Sequence, residues 1–496
     1  MESVPSQELA AIDGERRQRQ HYPSNAATIS LHNRWEQQQL FDKLLHLSLY
    51  YEPEASLRLL PFLSKCPNLR SFKLSTSLND PNRRYNSPNS VPNLDNILTC
   101  CPKLVYLDIY TSYYGINTLR DDKNDYLRPH LSNVHNSYTQ QQQKDHYIAD
   151  SNNEDDDNHQ HLEYISTFAL ESYDPTQVLE PFIIRNASTL KHLIFGYPPY
   201  IAIANDSNVS NTAYLATGWS SIFRSPLLSM APNLRTLVCE RIPLSSSVIV
   251  ALEDTLPCCI NLETLVIRST SLVQIHFRQF FENCWARLQY FELDQVNIML
   301  RFEDDDRDVL RRRLQQQADQ FNIQVIRLDN TTNVTHSLLF TLLSSSCPYL
   351  KEMDVTLNLG LCTTQGIRQL GRMLPQRASS LENIYLAPVR YLPYDFLVAL
   401  GHLPLLKKFE ADSGSYFPLQ VDMTGLKEML DKSTTLEYIA MNDVKFIHSS
   451  DHSSEDMGCP NITEMLGKYK DLGEKYHEMK DHPFAYSEGF CIVVSK

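Results

Sequence analysis

The residues able to do chemistry in this chain do not form a catalytic signature. His477-Glu478-Met479-Lys480-Asp481-His482 comes nearest to a zinc-protease helix. Two ligands on one helix face must stand four residues apart, and Asp481 occupies the place the second histidine needs. Gly366 and Gly371 have phosphate-loop spacing, but Arg372-Met373 follow where Lys-Ser/Thr is required. There is no Gly-x-Ser-x-Gly elbow, no Cys-x-x-Cys pair and no Gly-x-Gly turn. His159 and His161 stand beside acids in a polar run that offers a metal no rigid frame. These near misses predict a protein that is not an enzyme and has no cofactor.

Side chains that could bind rather than react follow from a repeat. The pattern apolar, two residues, apolar, one residue, apolar recurs thirteen times, with most intervals between 25 and 35 residues. It begins Leu44/Leu47/Leu49, Leu69/Phe72/Leu74 and Leu104/Leu107/Ile109. After a break come Ile165/Phe168/Leu170, Leu190/Leu193/Phe195 and Leu234/Leu237/Cys239, and the last copy is Leu436/Ile439/Met441. The final two apolar positions are two apart, the period of a strand with one buried face. Segments with helical spacing precede many copies: Ser247–Leu256, Ile275–Asn283, Ser337–Ser346, Thr364–Leu374, Tyr394–His402 and Met423–Lys432. Each unit therefore reads strand, loop, helix.

Parallel strands pack about 4.8 Å apart and helices about 10 Å apart, so stacked units must curve. The expected fold is α/β: a leucine-rich-repeat solenoid of about thirteen repeats, with strands lining the concave face and helices the convex one. Its strands would trace an arc of roughly 60 Å. The residues between the buried ones then point outward. They include Tyr106, Tyr110, Tyr290, Glu292, Asp294, Asp329, Glu352, Asp354, Tyr385, Glu410, Asp412 and Tyr438. From the eighth copy onward seven acids face two bases. That stripe predicts a docking surface for a protein partner with a basic segment, anchored by tyrosines.

A small residue stands three places before many first positions. Cys66, Cys101, Cys259 and Cys347 are examples, often followed at once by proline, as at Pro67, Pro102 and Pro348. Proline disfavours the helical conformation in the residue before it and so helps end each helix. The cysteines are expected to pack in the core. This Cys-Pro-x-Leu-x-x-Leu-x-Leu run resembles the repeats of the ribonuclease-inhibitor-like superfamily, and is most similar to the F-box/leucine-rich-repeat proteins over roughly residues 40–445. The resemblance implies substrate recognition for a cullin ubiquitin ligase, with an F-box docking on a Skp1-type adaptor. Residues 1–39 are polar and show no Leu-Pro-x-Glu start. An adaptor is expected only if an F-box is missing from the sequence as given. The alternative is a free-standing scaffold or inhibitor with no ubiquitin link.

Composition agrees. The 496 residues carry a net charge of −14, which argues against a nucleic-acid binder. No apolar run reaches the ~20 residues a membrane span requires. Eleven cysteines with no visible secretory leader point to reduced thiols in the cytoplasm or nucleus. Residues 1–39 are polar and read as a poorly ordered segment. Residues 111–163, with ten acids against four bases, read as a disordered insertion. Residues 446–496 read as a C-terminal cap made of a helix and a short strand.

Overall fold

The computed structural model describes residues 41, 43–51, 56–78, 94–113, 162–167, 175–196, 222–224, 227–242, 244–299, 321–331, 343, 347–357, 364–413, 418–442, 444–447 and 489–493. The thirteen principal strands are parallel and pair in chain order. They begin with β1 (His46–Tyr51), β2 (Ser71–Leu78), β3 (Tyr106–Tyr113), β4 (Tyr164–Thr167), β5 (His192–Gly196) and β6 (Thr236–Ile242). The row continues with β7 (Thr264–His276), β8 (Tyr290–Met299), β9 (Val325–Thr331), β10 (Glu352–Leu357) and β11 (Asn383–Ala387). It also holds β13 (Lys408–Ala411) and β15 (Tyr438–Asn442). Three shorter strands, β12 (Tyr391–Leu392), β14 (Leu419–Asp422) and β16 (Val444–Ile447), form a second parallel sheet. A last strand, β17 (Gly489–Val493), pairs antiparallel with β15 and covers the sheet's final edge.

Register follows the apolar ladder. Leu47, Phe72 and Leu107 are opposite one another, as are Leu265, Phe291 and Ile326 further along. The fourth copy is the exception. Leu107 pairs with Ile165 and Ile109 with Thr167, so this unit is Leu162/Ile165/Thr167 rather than Ile165/Phe168/Leu170. The threonine broke the apolar pattern, and the sequence reading slid three residues to the next match. Residues 111–113 consequently belong to the sheet, and 162–163 lead into β4 rather than belonging to the insertion. The remainder of that insertion lies outside the described residues. So do residues 1–39, the helix expected over 337–346 apart from position 343, and most of 446–496.

The residue after each first apolar position links the strands before they begin. The Leu45 carbonyl accepts the N–H groups of both Arg70 and Ser71, at 2.8 and 3.0 Å. The carbonyls of Arg70, Val105, Glu163, Lys191 and Arg235 repeat this bond pair with the next unit, and the series runs on to Lys407 with Glu437 and Tyr438. Two donors per carbonyl satisfy the backbone where the chain leaves its turn.

At six turns a polar residue immediately before the first apolar position ties the turn to its predecessor. Asn233, Asn261 and Asn322 donate side-chain N–H groups to the carbonyls of Ser188, Pro232 and Ala286, at 3.2, 2.6 and 3.4 Å. Thr189, Ser380 and Thr435 donate their hydroxyls to the Leu162, Leu350 and Leu406 carbonyls, at 2.9, 2.9 and 2.8 Å. This second signature was present in the sequence, but its shared role emerges only when the turns stack.

Helices such as Ser246–Thr255, Thr364–Arg377, Tyr394–Gly401 and Met423–Lys432 fill the connections. They share one continuous core with the inward strand positions. The expected helix at Ile275–Asn283 begins at Arg278 instead, because Ile275 and His276 pair with Ile298 and Met299 in the sheet. Gly366 and Gly371, spaced like a phosphate loop, are both buried within one helix. A Cβ at Gly371 would stand 3.0 Å from the Phe396 Cα, and one at Gly425 would stand 2.8 Å from the Tyr394 Cα. These glycines let the last helices pack closely.

Candidate protein-docking face

Alternation sends the expected residues to the face away from the described helices. Along β3 to β8 that face is more closed than the sequence implied. Tyr106, Tyr164, Ile194, Val238, Val266 and Tyr290 form a second buried apolar layer, with Val325 packed against it. The Tyr106 and Tyr164 rings stack at 4.2 Å. Tyr106 and Tyr290, expected as exposed anchors, retain only 6% and 2% of their accessible surface. Large side chains on strands about 4.8 Å apart cover one another from both sides, which a pattern of alternation cannot reveal. Burial, then Asp108, pushes the Tyr106 phenol well above its ordinary range. Tyr110 is in β3 opposite Ser75, and its side chain lies outside the described residues.

The expected acidic stripe divides in two. Its first part is an alternating ladder crossing five strands: Glu240, Arg268, Glu292, Arg327 and Glu352. Arg268 reaches Glu240 through Nη1 at 2.6 Å and Glu292 through Nε at 2.7 Å. Tyr290 donates its hydroxyl to the same Glu292 at 2.5 Å. Arg327 donates to Glu352 from Nε at 2.9 Å and also from Nη2, with its guanidinium 5.8 Å from the Tyr290 ring. Burial alone would raise the Glu292 pKa, but Arg268 and Arg327 outweigh it and hold the carboxyl below its usual range. Glu292 and Glu352 are therefore not free to attract a partner. Counting from the eighth copy missed Arg268, because it belongs to the seventh.

The second part holds more acids than bases, with Arg327 opposite Asp354. Asp354 and Glu410 flank Tyr385 in register on β10 and β13. Burial, followed by Asp354, Asp412, Glu410 and Asp329, holds the Tyr385 phenol far above the ordinary tyrosine range. Two of the expected acids thus stand directly beside one expected tyrosine. Asp329, Asp354, Tyr385 and Asp412 are half-buried, so each presents some surface. Lys408 partly balances them: its Nζ is 2.6 Å from Glu410 and 5.2 Å from the centre of the half-buried Tyr438 ring. Asp294 stands at the boundary between the two parts, opposite Arg268 and Asp329.

The cysteines are placed as core residues. Cys66, Cys101, Cys259 and Cys347 are fully buried, and each main-chain carbonyl accepts the N–H of the first apolar residue three places on. Burial, then Cys100 and Cys66, raises the Cys101 thiol to about 12; burial likewise raises Cys347 to about 12. Thiols held protonated in this way are poor nucleophiles. Among the described residues no cluster of His, Cys, Asp or Glu could hold a metal ion, and no helix is long and apolar enough to cross a membrane. His159, His161 and the stretch from His477 to His482 lie outside the described residues.

One buried histidine gives the face a pH response. His192 Nδ1 is 2.9 Å from Thr236 Oγ1. Burial, then Arg235 and Lys191, pushes its pKa down to about 3. In the unfolded chain it titrates near ~6.5. Between those values the unfolded chain binds a proton that the folded chain refuses, so stability falls as pH drops through this window. At about pH 5 the histidine costs about 2 kcal/mol. Denaturant melts at pH 7 and pH 5 should show that loss, and His192→Asn should remove it.

No family model matches this sequence, and no curated protein matches it. Among solved structures, the chain is similar to the crystal structure of the Rad7 and Elc1 complex in yeast, with 14% identity. That similarity covers 84% of this chain and 74% of the other, at a TM-score of 0.37, too loose a likeness to support a role.

Proposed function

We propose that this protein is a non-catalytic interaction module whose sheet face, turned away from the described helices, recognises a protein segment rich in lysine or arginine. The observation that carries this reading is the register that sets Asp354 and Glu410 on either side of Tyr385, with Asp329 and Asp412 half-buried nearby. An acidic surface beside half-buried aromatic side chains steers and seats a basic segment. A role in substrate recognition, related to the F-box/leucine-rich-repeat receptors of cullin ligases, rests on the Cys-Pro-x-Leu-x-x-Leu-x-Leu repeats. So does a Skp1-type adaptor as second partner. Buried, protonated thiols suit a reducing compartment, the cytoplasm or nucleus.

Charge reversal tests the surface. Asp354→Lys combined with Asp412→Lys should weaken binding to a fluorescent oligolysine peptide by at least about tenfold at low salt. Circular dichroism and the melting temperature should stay close to wild type. Equal binding by both proteins would remove the acidic patch from the reading. Co-purification with a Skp1-type adaptor tests the ligase link separately.

A further inference from the structure

The residues just before the sheet carry a charge pattern of their own. From one unit to the next they read Glu163, Lys191, Arg235, Glu263, Gln289, Gln324, Lys351, Glu382, Lys407 and Glu437, linked carbonyl to amide. Signs alternate at the charged steps, as expected where like charges on adjacent strands repel. Lys407, for example, reaches Glu382 at 2.7 Å. Lys191 and Arg235 are the one pair of like-charged neighbours in this row. A third cation joins them, since Arg287 projects from the turn before β8.

These three cations line a cleft of about 220 Å³ together with Asn233, Asn261 and Glu263. Their carboxylate partners are too few. Glu163 holds Lys191 at 2.9 Å, whereas Glu263 stands 3.7 Å from Arg235. Arg287 donates to the Asn261 side-chain oxygen. Asn261 is itself fixed by its bond to the Pro232 carbonyl, so it orients the guanidinium. The result is an arginine fork and a second guanidinium beside an ammonium group, on a protein whose overall charge is −14.

We propose that this rim cleft binds a tetrahedral oxyanion of the phosphoryl class, held by Lys191, Arg235 and Arg287. Guanidinium groups match the paired oxygens of a phosphoryl group, and the anion relieves the repulsion between Lys191 and Arg235. The anion comes either from a phosphorylated side chain of a partner or from a small free phosphate. The site is separate from the acidic face and does not depend on its role.

The test is thermal unfolding of the full chain in rising inorganic phosphate, with ionic strength held constant by sodium chloride. A saturable rise in melting temperature is expected for wild type. Arg235→Gln combined with Arg287→Gln should abolish it. Lys351→Gln combined with Lys407→Gln, in the alternating part of the row, should preserve it. No saturable rise, or the same rise in the arginine variant, would overturn the proposal. A fluorescent phosphoserine peptide and its unphosphorylated twin then separate the sources. Tighter binding of the phosphopeptide than of phosphate assigns the anion to a partner, and equal binding assigns it to a free phosphate.

Discussion

Arg268→Met is expected to lower the stability of the protein by about 3–5 kcal/mol. Arg268 is 7% exposed and bridges Glu240 to Glu292, which are themselves 8% and 6% exposed. Removing it takes away the cation that bridges two carboxylates in a poorly solvated layer. The cost arises from uncompensated charge rather than lost volume, since methionine fills much of the same space. The triple variant Glu240→Gln, Arg268→Met, Glu292→Gln should therefore regain most of the loss. The pH dependence separates the two causes. In wild type, Glu292 is held below its usual range, so its contribution is present above the unfolded carboxyl pKa and is lost on acidification. In Arg268→Met the stranded carboxyls should titrate upward, so the deficit shrinks as pH falls. Urea titrations at pH 7 and pH 5 measure both effects.

Phe291→Ala should cost a similar amount, about 3–5 kcal/mol, for the opposite reason. Phe291 is on the inward side of β8, fully buried, at the centre of an aromatic cluster. Its ring centroid is 5.7 Å from Phe281, 5.8 Å from Trp285 and 6.1 Å from Phe277, each edge-on. Truncation leaves a cavity lined by rings whose helix and turn are already packed on both sides. Besides the lower urea midpoint, the near-ultraviolet circular dichroism of Trp285 should weaken. Phe291→Leu should lose less, because leucine refills part of the void. A Phe291→Ala protein as stable as wild type would show that the helices collapse onto the sheet more freely than their contacts imply.

The inward face was almost wholly legible in the sequence. Burial of one side of a strand writes a period of two, and twelve of the thirteen apolar triplets match the observed register, with Leu162/Ile165/Thr167 the exception. The short helices were legible for the same reason: Met423–Lys432 is bounded as its spacing predicts, and Asp422 caps it by accepting the Gly425 N–H at 2.8 Å. The outward face was legible only in direction. Whether Tyr290 or Glu292 meets water depends on side chains of the adjacent strands, and those are 24 or more residues distant in the chain. Arg268 shows this most clearly. It is unremarkable within its own repeat, yet it neutralises acids in both adjacent ones. The rim cleft was invisible for the same reason, since its cations come from three different units.

The paired bonds at each shared carbonyl also set what the gene can tolerate. Every rung needs only the turn, one linking residue and the opening of a strand. Codons can accumulate after a strand without disturbing it, and Leu104 and Leu162 are 58 positions apart with their rungs still joined. A single codon gained between Leu162 and Tyr164 would be far more disruptive. It would swap the two faces of that rung and misplace both of its amide donors. Heritable length variation should therefore concentrate downstream of the strands and spare the few residues ahead of them.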